Sequence, residues 1–93
     1  MPIAVIGLSH HSSPISMREQ FAISESVLPD VMTDLRQRTE IEEIVILSTC
    51  NRVEVYVAHE NPTSELVSTV KQSFAENRNY DGPLGNEVYS HTG

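Results

Sequence analysis

Residues 44–57 read IVILSTCNRVEVYV and consist of two apolar segments joined by a polar one. The first segment is a continuous apolar run, which is typical of a buried strand. The second alternates valine with other residues, as a strand with one buried face does. We therefore predict strands over 44–48 and 53–58. Because only a few residues separate them, they are expected to form a β-hairpin with residues 49–52 at its tip.

The chain before the hairpin begins with another apolar run. Residues 3–8 are almost entirely apolar, which indicates a central buried strand. Ser16 and Glu19 then have the spacing of a capping box. This spacing favours a short helix that ends near residue 23.

One longer helix is predicted before the hairpin, and a second helix and a last strand are predicted after it. Apolar residues recur at helical spacing up to about residue 38, and Ser24 or Ser26 is expected to cap that helix. After the hairpin, a second apolar stripe predicts a helix that ends near residue 79. A turn-rich loop follows, and residues 87–90 are expected to form the last strand.

The predicted order is strand, helix, strand, strand, helix, strand. This order favours an α+β fold of the ferredoxin-like βαββαβ type, in which helices cover one face of an antiparallel sheet.

Composition limits the class of protein. A chain of 93 residues is one small domain, and its formal net charge of −7 disfavours a stand-alone nucleic-acid binder. No apolar stretch approaches the roughly 20 residues of a membrane span, so a cytoplasmic protein without membrane contact is expected. The single cysteine cannot form an internal disulfide, which agrees with a reducing compartment.

That cysteine, Cys50, lies in the polar tip of the predicted hairpin. A turn at a strand end can expose a thiol, and an adjacent guanidinium such as that of Arg52 can stabilise a thiolate and bind a carboxylate. The alternative is a buried and inert thiol, which is the usual state of a free cysteine. The polar neighbours of Cys50 favour the chemical interpretation.

The remaining motifs indicate neither a metal nor a nucleotide site. His10 and His11 follow the first strand and could bring a base near the thiol, although loop histidines are commonly surface residues. No histidine and cysteine have the spacing of a structural zinc site. The chain also has no Gly-x-Gly-x-x-Gly, so we expect no cofactor and no metal within residues 1–93.

Two stretches of the chain resemble the glutamyl-tRNA reductase family. Residues 47–56, LSTCNRVEVY, are similar to the family's signature. Residues 7–10, 13–15 and 18–19 resemble its amino-terminal strand and following helix. The resemblance extends over essentially all of the chain and identifies it as the amino-terminal part of that enzyme's catalytic domain.

The resemblance implies a reaction and a role for each residue of the tip. The Cys50 thiolate would attack the ester of glutamyl-tRNA, and hydride from NADPH would reduce the resulting thioester to glutamate-1-semialdehyde. This reaction begins tetrapyrrole, and hence haem, synthesis by the five-carbon route. Arg52 would bind the substrate's side-chain carboxylate, or else be a surface arginine paired with Glu54 or another acid. Thr49 and Asn51 would donate hydrogen bonds to the substrate, or else only shape the turn.

The resemblance also implies parts of the enzyme beyond these residues. In the family, an NADPH-binding domain and a helical dimerisation domain follow, so residues 1–93 would form a truncated glutamyl-tRNA-binding domain that does not itself carry out reduction. Glutamyl-tRNA, a second subunit and protein regulators are the partners expected of the full enzyme. The alternative is a non-catalytic protein-binding or redox-sensing module with the same fold.

Overall fold

The computed structural model describes residues 3–41, 43–49, 51–60, 63–82, 84–85 and 87–92. Within them the chain forms strands and helices in the order β1, α1, α2, β2, β3, α3, β4. The strands are β1 (Ile3–Ser9), β2 (Glu43–Ser48), β3 (Arg52–Ala58) and β4 (Tyr89–Thr92), and the helices are α1 (Ile15–Phe21), α2 (Leu28–Thr39) and α3 (Ser64–Asn77).

The strands form one antiparallel sheet in the order β2-β3-β1-β4. The predicted hairpin is confirmed, since Ser48 of β2 pairs with Val53 of β3. Strand β1 lies between β3 and β4, where its continuous apolar sequence is buried. The order and the helices together confirm the predicted ferredoxin-like sandwich.

One face of the sheet packs against the helices and contains the hydrophobic core. Alternate residues of β1 and β3, such as Ile6 and Val55, point to this face because side chains alternate along a strand. At its centre the rings of Phe21 and Phe74 meet edge to face, with centroids 5.2 Å apart. Leu35 and Val70 add the apolar faces of α2 and α3 to the same core.

The opposite face of the sheet, here called the open face, carries the intervening residues. Ile3, Val45 and Leu47 are large apolar residues that remain exposed on it. Glu54 also lies on this face, opposite Gly7 of β1, yet its side chain is buried. The open face therefore combines exposed apolar groups with one buried carboxylate.

Two predictions about helix starts were wrong. Helix α1 starts after Pro14 and has no side-chain cap, so Ser16 and Glu19 do not form a capping box. Helix α2 is preceded by Val27 and also lacks a side-chain cap. The hydroxyls of Ser24 and Ser26, 3.2 Å apart, bond to each other instead.

The last strand begins later than predicted. Val88 donates a hydrogen bond of 3.1 Å to the carbonyl of Gly85 and packs into the core, which places it in a turn. Pairing with β1 starts only at Tyr89, opposite Gly7. Residues 89–92 therefore form the strand instead of 87–90.

Candidate functional site

The tip of the β2–β3 hairpin is closed by Thr49. Its backbone N–H donates a 2.8 Å hydrogen bond to the carbonyl of Arg52. Its hydroxyl oxygen accepts hydrogen bonds from the N–H groups of Asn51, at 3.3 Å, and Arg52, at 3.2 Å. The Thr49 side chain thus shapes the turn, as hydroxyl residues commonly do. Cys50 lies outside the described residues, and its two chain neighbours Thr49 and Asn51 are both exposed.

The loop after β1 lies against this tip. The backbone N–H of His10 donates a hydrogen bond of 2.9 Å to the carbonyl of Asn51. The imidazole rings of His10 and His11 have centroids 3.9 Å apart, and both residues are exposed. The fold therefore brings these histidines to the same end of the sheet as Asn51 and Arg52.

Arg52 is the first residue of β3, at the base of the tip. Its side chain is 51% exposed, and its Nη1 lies 3.7 Å from Oε1 of Glu54. This distance is within the range of an ion pair but too long for a hydrogen bond. The guanidinium is thus oriented by a neighbouring carboxylate, while half of the side chain's surface faces solvent.

Glu54 is held in turn by two phenols. Tyr56 donates a hydrogen bond of 2.7 Å to Oε1, and Tyr89 donates one of 2.5 Å to Oε2. Burial alone would raise the pKa of Glu54. The hydrogen bonds from Tyr89 and Tyr56 and the charge of Arg52 outweigh burial and hold this pKa below its ordinary value. Glu54 is therefore a carboxylate at neutral pH.

The pKa values of the two tyrosines are shifted upward, in the opposite direction to that of Glu54. Burial, followed by the hydrogen bond to Glu54, raises the pKa of Tyr89 well above the ordinary tyrosine value. The hydrogen bond to Glu54, with burial, raises the pKa of Tyr56. Both tyrosines are therefore neutral donors across the physiological range.

The sequence interpretation placed Thr49, Cys50, Asn51 and Arg52 at one tip, and the structure brings the three described members together there. It named Glu54 only as an alternative ion-pair partner of Arg52, and it missed Tyr89, which is 35 positions from Glu54 in the chain. The available signal was an acidic residue at the centre of a strand, on the same face as a tyrosine two positions later. Only the pairing of β4 with β1 brings Tyr89 into this group.

Other kinds of site find no support in the described ranges. No group of three or more histidine, cysteine, aspartate or glutamate side chains there is arranged to hold a metal ion. None of the helices described is both long and apolar enough to cross a membrane. His59 follows β3 at the end of the strand far from the tip, as expected.

Comparison with known proteins identifies a single family. Residues 6–93 match the family model of the N-terminal domain of glutamyl-tRNA(Glu) reductase. The chain is 42% identical over 79 residues to the glutamyl-tRNA reductase of Synechocystis sp., and that alignment covers 85% of the chain. It is 50% identical over 56 residues, 60% of the chain, to the enzyme of that name from Rippkaea orientalis. It is 51% identical over 55 residues, 59% of the chain, to glutamyl-tRNA reductase 2 of Hordeum vulgare.

These relatives are much longer proteins. The aligned regions span 18%, 13% and 12% of the Synechocystis, Rippkaea and Hordeum proteins, respectively. The family model, in contrast, matches nearly the whole chain. The chain belongs to the glutamyl-tRNA reductase family and corresponds to its N-terminal domain.

Proposed function

We propose that this domain takes up the glutamyl group of glutamyl-tRNA as a thioester on Cys50. The observation that carries the proposal is the position of Arg52. Its side chain is half exposed beside a tip whose backbone is fixed by Thr49, and Arg52 lies two residues after the only cysteine of the chain. A cation two residues from a thiol in the sequence suits a substrate that has both a reactive ester and a carboxylate.

The proposed step exchanges one ester for another. The Cys50 thiolate attacks the ester carbonyl carbon, a carbon–sulfur bond forms, and the bond from that carbon to the ribose oxygen of the tRNA breaks. The ribose oxygen leaves with a proton, and the glutamyl group remains on sulfur. A thiol of ordinary pKa, about 8.5, is only a few per cent ionised at pH 7, but the thiolate is a strong nucleophile.

Arg52 is proposed to select the glutamyl side chain. A guanidinium presents a planar pair of N–H donors that matches a carboxylate, and a neutral glutaminyl amide does not satisfy the same charge. The 3.7 Å contact with Glu54 leaves donor capacity for such a ligand, because it is not itself a hydrogen bond. Asn51 is exposed at the same tip and is proposed to contact the substrate as well.

Thr49 has a different part in this proposal. Its hydroxyl oxygen accepts from two backbone N–H groups, so it holds the turn. The hydroxyl also donates its own proton to the carbonyl oxygen of Arg52, at 3.4 Å. A substrate contact from Thr49 is proposed to replace this long hydrogen bond.

Reduction of the thioester is proposed to use NADPH, which supplies a hydride. These 93 residues contain no Gly-x-Gly-x-x-Gly. We therefore propose that NADPH is bound by another part of the longer enzyme. With a net charge of −7, the domain is also proposed to leave most tRNA phosphate contacts to other parts.

A protein-binding module is the second candidate, and the open face of the sheet favours it. Val45 is 62% exposed there, and Leu47 and Ile3 are also exposed. Apolar groups in this arrangement are typical of a surface that contacts another protein. Substrate-dependent acylation distinguishes the two candidates, because a binding module has no reason to accept a glutamyl group.

The test is incubation of the chain with glutamyl-tRNA in the absence of NADPH, followed by intact mass spectrometry. Cys50→Ser is the matched variant, and the Synechocystis relative is the positive control. The proposal predicts a glutamyl adduct on the wild-type chain and none on Cys50→Ser. No adduct on the wild-type chain, with an adduct on the relative, would show that residues 1–93 are insufficient. An adduct on both the chain and Cys50→Ser would exclude Cys50 as the nucleophile.

A further inference from the structure

The feature that the proposed reaction leaves unused is the buried carboxylate on the open face. Glu54 is 6% exposed on a surface where its same-face neighbour on β2, Leu47, is 41% exposed. Burial of an ionised carboxylate is costly unless the group is paired and hydrogen-bonded. The arrangement around Glu54 therefore requires a reason beyond packing.

The two oxygens of Glu54 have different partners. Oε2 accepts the hydrogen bond from Tyr89, at 2.5 Å. Oε1 accepts from Tyr56, at 2.7 Å, and faces Nη1 of Arg52 at 3.7 Å. Because the carboxylate is planar, fixing Oε2 through Tyr89 also fixes the direction in which Oε1 faces Arg52.

Gly7 makes this contact across three strands possible. It pairs with Glu54 on one side and with Tyr89 on the other. A Cβ atom at this position would lie 2.7 Å from Cγ of Glu54 and 3.1 Å from the hydroxyl oxygen of Tyr89. Glycine is the one residue that leaves room for both groups to meet above β1.

We propose that Tyr89 is a positioning residue that acts through Glu54 to direct the guanidinium of Arg52, and thereby sets the preference for a glutamyl over a glutaminyl ester. The inference rests on the proposed role of Arg52 as the carboxylate-binding group. Tyr89 is not proposed to touch the substrate. Its hydrogen bond to Glu54 links β4 to the site. Because Tyr89 lies outside the hairpin, the hairpin sequence alone does not predict this link.

Loss of the Tyr89 hydroxyl is expected to weaken binding of a carboxylate by Arg52 more than binding of a neutral amide. In Tyr89→Phe the ring that packs on the sheet remains, but Oε2 of Glu54 loses its donor. The carboxylate then keeps only the hydrogen bond from Tyr56 to Oε1 and can rotate about it, so Arg52 loses the fixed direction that bidentate binding of a carboxylate requires. A neutral amide gains less from that geometry, so acylation by glutaminyl-tRNA should change little.

The first measurement compares acylation rates of the chain by glutamyl-tRNA and by mischarged glutaminyl-tRNA. The variants are Tyr89→Phe and a control, Tyr80→Phe, which removes a hydroxyl from a tyrosine that packs against Phe21 on the helical side. We expect the glutamyl-to-glutaminyl ratio to fall about tenfold in Tyr89→Phe and to remain unchanged in Tyr80→Phe. An unchanged ratio in Tyr89→Phe, or an equal fall in both variants, would overturn the inference.

A second measurement does not depend on acylation. NMR of the Glu54 carboxyl carbon and of the Arg52 Nε–Hε group reports the network in the folded chain, where Tyr56, Arg52 and His91 are the other ionisable groups near Glu54. Tyr89→Phe should raise the pKa of Glu54 and increase the mobility of Arg52. If neither changes, the positioning role is excluded, whatever the acylation result.

The two measurements separate failure of the inference from failure of the proposed function. If the wild-type chain and the Synechocystis relative are both inert towards glutamyl-tRNA, the proposed function fails, and with it the selectivity that we assign to Tyr89. If acylation occurs and only the ratio is insensitive to Tyr89→Phe, the proposed function stands and the inference alone fails.

Discussion

The backbone N–H of His10 donates a hydrogen bond of 2.9 Å to the carbonyl oxygen of Asn51. This contact continues the β1–β3 ladder one step beyond the pair formed by Ser9 and Arg52. It joins the loop after β1 to the hairpin tip, so the residues on either side of Cys50 in the sequence are held by two separate parts of the chain. Because the bond is made by the main chain, it does not depend on the imidazole.

The first prediction concerns this bond. His10→Ala keeps the N–H and should change the free energy of unfolding by no more than about 0.5 kcal/mol, as expected of an exposed side chain. His10→Pro removes the donor and should cost about 1–3 kcal/mol, because the Asn51 carbonyl loses its partner. Urea denaturation measures both. Equal effects of the two substitutions would contradict the assignment of the contact to the backbone.

The second prediction concerns Gly7. Gly7→Ala places a methyl group 2.7 Å from the backbone carbonyl oxygen of Val53, which cannot move without disturbing β3. We expect a loss of about 1–3 kcal/mol in the free energy of unfolding, the usual cost of overpacking. Gly85→Ala is the control, since there the nearest atom is the carboxylate oxygen of Glu87, at the end of a flexible side chain. A Gly7→Ala variant as stable as Gly85→Ala would be inconsistent with the packing.

The third prediction concerns the start of α3. The hydroxyl of Thr63 accepts a hydrogen bond of 3.1 Å from the N–H of Leu66, so Thr63→Ala should cost about 1 kcal/mol. Ser26→Ala is the matched control. Ser26 precedes α2 but does not cap it, and its removal should be nearly neutral. Thermal or urea unfolding checks both, and a larger loss from Ser26→Ala would restore the cap that its position in the sequence suggests.

The fourth prediction is a dependence of stability on pH. The pKa of Asp34 is lowered, first by its hydrogen bond with Asn77 and then by Arg38, and the pKa of Glu54 is lowered as described above. Both carboxylates therefore stabilise the fold above the ordinary carboxyl pKa of about 4, and this contribution is lost as the pH falls through their lower native values.

Denaturation at a series of acid pH values measures this effect. Asp34→Asn removes one of the two titrating groups while it preserves side-chain shape, so its stability should fall less steeply between about pH 4 and pH 2 than that of the wild type. Identical slopes would show that the bonds of Asp34 with Asn77 and Arg38, both 2.7 Å, do not persist in solution.

Much of the fold could be predicted from local pattern. Alternation identifies β3 because a strand with one buried face has an apolar residue at every second position, and a continuous apolar run identifies β1 as a central strand. Helix starts were harder, because Ser24 and Ser26 have the right residue type but the backbone places Val27 at the cap. Cap geometry depends on how the helix enters the tertiary structure, which a short motif does not contain.

The candidate site was predictable only along the hairpin. Thr49, Cys50, Asn51 and Arg52 are adjacent in sequence, so one motif identifies them. The Glu54–Tyr89 contact requires both the register of β4 on β1 and the absence of a side chain at Gly7. Neither can be inferred from spacing along the chain.

The central claim is that Cys50 accepts the glutamyl group, and the most direct test is to locate that group on the chain. After incubation with glutamyl-tRNA, the chain is digested with pepsin at acid pH, which preserves thioesters, and the peptides are sequenced by mass spectrometry. We expect a glutamyl group on the sulfur of Cys50, which hydroxylamine releases as the hydroxamate. A glutamyl group on any other residue, or one that resists hydroxylamine, would contradict it.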